Sequence, residues 1–205
     1  MIQAAPSHVL ITGFGSFPGV PENASAAVVE RLSSAVATLP NVHVTWRIIP
    51  VDWQVAPQQI AELIADARPD IILHFGVSSR AEGLVIEALA HNRCHSSADV
   101  CGGLPLSHKI MEDAPDILPS TFPAHSIVAR LRAEGLPAQL SEDAGGYLCN
   151  TVLYTSLHHF SQNNSCIGFV HIPTDLGGSK GGLSVDDVVN GGLTILLTCL
   201  EERLS

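Results

Sequence analysis

The chain has 205 residues, 46% of them hydrophobic and 15% charged, a balance that excludes a disordered or low-complexity protein. Ten Lys and Arg against 20 Asp and Glu leave a formal charge of −10, and no two basic residues are adjacent, which excludes a surface that tracks nucleic-acid phosphates. The length fits one domain, expected over residues 1–205, that buries about 70% of its unfolded surface without staples.

In chain order, His8–Phe14 (HVLITGF) is a β-rich run that ends in a Gly-rich turn. Asn23 or Ser25 then caps a helix reaching about Ala37, with Ala27, Val28, Arg31, Leu32 and Ala35 spaced for one face. Val42–Ile49 is a strand stopped by Pro50. Gln54–Arg68 is a helix, with Ile60, Leu63, Ile64 and Ala67 at helical spacing. Asp70–Gly76 (DIILHFG) is nearly continuous apolar sequence, as expected of a strand covered on both faces. Gly83–Ala90 is a further strand, and His91–Phe122 is an irregular excursion of the kind that carries function or an interface.

The remainder predicts a helix over His125–Glu134, a strand over Pro137–Ser141, a helix over Leu148–Phe160 and a strand over Cys166–Ile172. Gly177–Gly182 is a flexible loop. A closing helix over Ser184–Arg203 sets Val185, Val188, Val189, Leu193, Leu196 and Leu197 on its apolar side. Strands alternating with helices predict an α/β/α sandwich around a mostly parallel, mixed sheet, with ligands beyond the carboxyl ends of the strands.

The five cysteines, Cys94, Cys101, Cys149, Cys166 and Cys199, are odd in number and form no CxxC pair, so they read as neither a disulfide framework nor a zinc ribbon. The first seven residues lack the charged start and apolar run of a signal peptide, and the apolar stretches are shorter than the roughly 20 residues of a membrane span. A reduced, cytoplasmic location with no membrane or nucleic-acid partner is the expectation.

Cys149 follows a Gly-rich turn (AGGYLCN) at the start of a helix, where the helix dipole and unpaired N–H groups favour a thiolate and a forming oxyanion. A buried structural thiol is the competing reading. His171 closes an apolar strand, with His8, His74 and His91 as rivals. Glu87 interrupts the apolar run GLVIEALA and needs a cation, a ligand or an outward-facing edge position; Glu82, beside a turn, is its rival. Thiol, imidazole and carboxylate make a nucleophile, a base and an orienting group.

The turn Thr12–Phe17 (TGFGSF) lacks the glycine spacing of a nucleotide loop, and its Phe14 and Phe17 suit an apolar slot. His158 and His159 diverge by about 100° on a helix, and His91, Cys94 and His95 are three ligands in an irregular loop, so no metal site is expected.

With those residues in place, the chain resembles the pyroglutamyl peptidase I family of cysteine peptidases. Thr12–Ser25 (TGFGSFPGVPENAS) is similar to the family's TGF-x-PFGG start and its Asn-Pro-Ser. Gly76–Asn92 (GVSSRAEGLVIEALAHN) resembles its GxAGGR…E-x-x-A-x-N block, Leu136–Asn150 (LPAQLSEDAGGYLCN) its nucleophile segment, and Gly168–Pro173 (GFVHIP) its GF-x-H-x-P segment. The chain departs from the pattern at Ser16, Pro18, Ala24, Val77, Ser78, Ser79 and Arg80, and from Arg93 to Pro105.

The resemblance implies a cysteine exopeptidase that removes N-terminal pyroglutamyl residues through a thioester, with Cys149 as nucleophile, His171 as base, Glu87 as acid and no cofactor. It further implies a ring slot formed by Phe14, Phe17, Val77, Tyr147 and Leu148. The amides of Cys149 and of the Gly13–Gly15 turn are the expected oxyanion donors. Members of that family often form tetramers, so a homo-oligomer (dimer or tetramer) is among the implications. A divergent amide hydrolase or ligand-binding homologue with an altered pocket is the alternative.

Overall fold

The computed structural model describes residues 6–160, 165–177 and 182–204. Residues 1–5, and 178–181 of the expected Gly177–Gly182 loop, lie outside the described residues. The elements run β1 (Ser7–Phe14), α1 (Ala24–Val36), β2 (Val42–Ile49), α2 (Val55–Ala67), β3 (Ile71–Ser78), β4 (Leu84–Glu87), β5 (Leu89–His91), β6 (Ile117–Pro119), α3 (Ala124–Ala133), β7 (Ala138–Ser141), α4 (Leu148–Phe160), β8 (Cys166–Pro173) and α5 (Val185–Leu204).

Six strands form one sheet in the order β2-β1-β3-β8-β4-β7, and β5 pairs with β6 in a separate ribbon. β2, β1, β3 and β8 are mutually parallel; β4 is antiparallel to β8 and parallel to β7. The sheet is therefore mixed and covered on both faces. Alternation along each strand sorts the core: Val9, Ile11, Leu73, Phe75, Val170 and Ile172 pack with α1, α3 and α5, while Leu10, Phe14, Ile72, Ile167 and Phe169 pack with α2 and α4. Each fully buried Val, Leu or Ile contributes roughly 1.5–3 kcal/mol of transfer free energy.

The α1 stripe is rotated from the expected one. Val28, Val29, Leu32 and Val36 are buried, whereas Ala27 is exposed and Arg31 turns outward to pair with Asp186 of α5. Burying the larger Val29 and Val36 removes more apolar surface than burying alanines. On α5, Ile195 and Cys199 take inward positions and Leu197 is exposed.

The strand expected over Gly83–Ala90 is two short strands. At Ala88 the N–H donates to the Ser141 carbonyl (2.7 Å) while the carbonyl accepts from Ser120 N–H (2.8 Å), so the chain leaves one sheet for the other. The excursion that follows is organised by buried polar side chains rather than by a ladder. Asn92 accepts from the amides of Ile110 and Met111 and donates to the carbonyls of Met111 and Ala114. Asp99 accepts from the amides of Trp53, Cys101 and Gly103.

Asn23 caps α1: its Oδ1 accepts from Ser25 N–H at 3.1 Å, and its Nδ2 donates to the Gly15 carbonyl at 3.0 Å. Asn23→Ala removes the cap and the tie to the turn after β1 together. It should cost about 1–2 kcal/mol, seen as a lower urea midpoint at an unchanged slope. An unmoved midpoint would contradict the capping role.

Candidate active site

α4 leads into β8, so the start of the helix and the end of the strand meet at one edge of the sheet; its 13 residues and the 8 of β8 span roughly 20 Å and roughly 25 Å. Cys149 is the second residue of α4 and half-buried. Its Sγ sits over Gly76 of β3, where an added Cβ would lie 2.9 Å from the sulfur and 2.6 Å from Cζ of Phe169. Glycine at 76 is what makes room for the thiol. The turn before α4 depends likewise on Gly146, where a Cβ would fall 2.3 Å from the His95 ring.

His171 is buried at the end of β8, bonded through Nδ1 to Glu87 and within interaction range of the Cys149 thiol. The Nδ1 to Oε1 distance is 2.7 Å, so the other ring nitrogen serves the thiol. The reversed direction of β4 explains how the acid arrives. Register sets Val85 opposite His171 and Glu87 opposite Phe169, so Glu87 reaches its histidine across the diagonal of an antiparallel pair. Glu87 is 2% exposed, which removes the edge-position reading; Glu82 is exposed at the far end of the strand.

Burial alone would depress the His171 pKa. The charge of Cys149 and its hydrogen bond, with the hydrogen bond and charge of Glu87, outweigh burial and raise it to about 10. His74, on the same sheet face, is the contrast. It is held between Thr12 Oγ1 (2.7 Å) and Ser156 Oγ (2.9 Å), with no charge beside it, and burial pushes it down to about 3.

A pocket of about 50 Å³ opens beside Cys149, lined by Phe14, Phe17, Asn23, Val51, Val77, Tyr147 and Leu148. Apart from Asn23 and the thiol, its walls are hydrophobic and aromatic. Tyr147 is braced from outside, edge-on to Trp53 at 5.1 Å and donating through its hydroxyl to the Ala98 carbonyl. Two of the expected donors in the Gly13–Gly15 turn are occupied: Phe14 N–H donates to Ser25 Oγ and Gly15 N–H to the Ile49 carbonyl, both at 3.0 Å. The start of α4, whose first N–H groups have no partner within the helix, leaves donors beside Cys149.

The other histidines lie elsewhere. His8 bonds Thr45, His91 bonds the Glu142 carbonyl, and His158 stacks on Tyr154 beside His159. Cys94 is buried with its sulfur against Thr151. Among the described residues no group of three His, Cys, Asp or Glu side chains could hold a metal, and no helix is long and apolar enough to cross a membrane. Sequence reasoning passed over the space-making role of Gly76, over Asn23 and Val51 as pocket residues, and over Phe169. Asn150 was missed as an anchor: it ties α4 to β5 by accepting from His91 N–H and donating to the carbonyls of His91 and Arg93. The glycine closing an apolar strand was the one signal available.

With a thiol, a buried imidazole and a carboxylate in contact at one sheet edge, likeness to known proteins becomes informative. The Pyroglutamyl peptidase family model matches residues 7–177. The chain belongs to the pyroglutamyl peptidase family. It is 34% identical over 167 residues to a pyrrolidone-carboxylate peptidase of Oceanobacillus iheyensis, covering 80% of this chain and 83% of that one. It is 33% identical over 168 residues to pyroglutamyl-peptidase 1 of Homo sapiens, covering 80% and 78%. A mutant pyrrolidone carboxyl peptidase of Pyrococcus furiosus superposes with a TM-score of 0.86 at 28% identity over 95% of this chain and 99% of that one. Pyroglutamyl peptidase I of Bacillus amyloliquefaciens gives 0.84 at 28% identity, covering 94% and 96%.

A raised pKa makes His171 stabilising while it stays protonated. That contribution is fully present below about pH 6.5 and is lost as pH rises through about 10. An imidazole titration by NMR should show His171 holding its proton into the alkaline range, and Glu87→Gln should move its deprotonation to lower pH. A His171 that titrates near 6.5 in the wild type would contradict the assigned contacts. Iodoacetamide should alkylate half-buried Cys149 faster than exposed Cys101, read by peptide mapping.

Proposed function

We propose that this chain, read as one domain over residues 1–205, is a cysteine exopeptidase that removes N-terminal pyroglutamyl residues from peptides. The observation that carries the reading is the contact chain from Cys149 Sγ, seated over Gly76, through His171 to the 2.7 Å bond with Glu87, beside a small pocket with largely apolar walls. A 5-oxoproline residue is a flat lactam with no free amine. A slot between Phe14 and Phe17, closed by Val77, Tyr147 and Leu148, offers such a ring apolar contact and no carboxylate for an ammonium group to pair with. Val77 is a departure from the family pattern and keeps one wall of the slot apolar.

In the mechanism, Cys149 attacks the pyroglutamyl carbonyl as thiolate while His171 holds the proton as imidazolium. The new S–C bond pushes the carbonyl electrons onto oxygen, which the amides at the start of α4 stabilise. When the tetrahedral species collapses, the C–N bond breaks and His171 protonates the departing amine. The product is a thioester on Cys149 and a peptide shorter by one residue. Neutral His171 then takes a proton from water as the hydroxyl attacks the thioester, and pyroglutamate leaves as thiolate and imidazolium are restored. Glu87 holds the tautomer and orientation of His171 throughout and balances its charge. None of these steps calls on a metal or an organic cofactor.

A reducing cytoplasm suits a catalytic thiol, and a homo-oligomer (dimer or tetramer), measurable by sedimentation, belongs to the same proposal. Fluorophore release from a pyroglutamyl-aminocoumarin amide in reducing buffer tests the activity. The wild type should turn over and Cys149→Ala should not. Glu87→Gln should lower kcat by about 10²–10⁴-fold. Gly76→Ala, which displaces the sulfur, should cost on the order of 100-fold. A folded wild type without turnover, or a Cys149→Ala protein that keeps it, would overturn the proposal.

A further inference from the structure

Phe169 stands at the centre of the site without belonging to the three groups that carry the chemistry. It is fully buried on the sheet face that presents His171, two residues before it on β8. Its ring centroid lies 4.8 Å from the His171 imidazole, 6.2 Å from His74 and 6.4 Å from Phe14 of the pocket wall. Its Cζ and the Cys149 sulfur crowd the same point above Gly76. Glu87 is its register partner on β4, so the carboxylate and the aromatic ring approach His171 from neighbouring positions of one ladder.

We propose that Phe169 is a positioning residue whose ring clamps the protonated imidazole of His171 and fixes how deep the Cys149 sulfur seats over Gly76. The inference rests on the peptidase reading above. A cation within about 6 Å of an aromatic centroid is attracted by the ring quadrupole, and the attraction is strongest where water is excluded. The protonated ring of His171 meets that distance in a buried site. The charged or titratable groups facing His171 are Glu87 from β4 and Cys149 from α4; His74 from β3 meets the Phe169 ring instead and is neutral. His74, pinned by Thr12 and Ser156, thereby helps to hold the Phe169 ring in place, and an aliphatic side chain would offer His171 no such surface.

Two variants test this: Phe169→Leu, and pentafluorophenylalanine incorporated at 169, which keeps the ring's shape and reverses its quadrupole. Each is read by kcat and KM on the pyroglutamyl-aminocoumarin amide and by the NMR titration midpoint of His171. The expected result is a kcat lower by about 3- to 30-fold at a KM within about twofold of wild type. In the fluorinated protein the His171 midpoint should fall by about 0.5 to 1.5 pH. An unmoved midpoint in the fluorinated protein overturns the proposal, whatever Leu does to kcat. The fluorinated side chain also covers the case in which Phe169→Leu fails to fold. If the wild type shows no turnover, the peptidase reading falls, and the His171 midpoint still decides the contact with Phe169.

Discussion

The structure turns on a carboxylate buried inside a sheet. Glu87 is 2% exposed, its Oε1 meets His171 at 2.7 Å, and among the described residues its Oε2 has no hydrogen-bond partner. A buried carboxylate is expensive unless a cation answers it, so Glu87 and a protonated His171 require one another. That requirement reaches outward through the fold. β4 must run against β8 to present the acid on the diagonal, β8 must end at His171, and α4 must start at the same edge to bring a thiol into contact.

His74 and His171 show how partners, rather than depth, decide the state of a buried imidazole. Both lie on the face covered by α2 and α4. Hydroxyl partners cannot compensate for lost hydration of a cation, so His74 is neutral; the Glu87 carboxylate and the Cys149 sulfur beside it can, so His171 keeps its proton. The neutral histidine serves packing and the charged one serves chemistry. Phe169 meets both imidazoles, its ring centroid 4.8 Å from that of His171 and 6.2 Å from that of His74.

Much of this arrangement was legible in the residues. A nearly continuous apolar run gave β3, Asn23 announced the cap of α1, and the Gly-rich turn before Cys149 announced a helix start. What could not be read has physical reasons. The direction of β4 depends on which neighbour it pairs with, and a four-residue apolar strand carries no sign of direction. Residues 91–122 owe their order to Asn92 and Asp99 bonding backbone groups far along the chain, which leaves no period to detect. Gly76 looked like the end of a strand and is the floor under the nucleophile, because its role lies in what an absent Cβ leaves open to Cys149. The amides of Phe14 and Gly15 looked available because their acceptors, Ser25 and Ile49, come from elsewhere in the chain.

The central claim is that Cys149 carries the acyl group in a thioester. Rapid acid quenching during turnover of a pyroglutamyl amide, followed by peptide mass spectrometry, tests it most directly. The account predicts a mass increment of one pyroglutamyl group on the peptide containing Cys149, absent from the Cys149→Ala protein. Turnover that proceeds with the increment on another residue would contradict it.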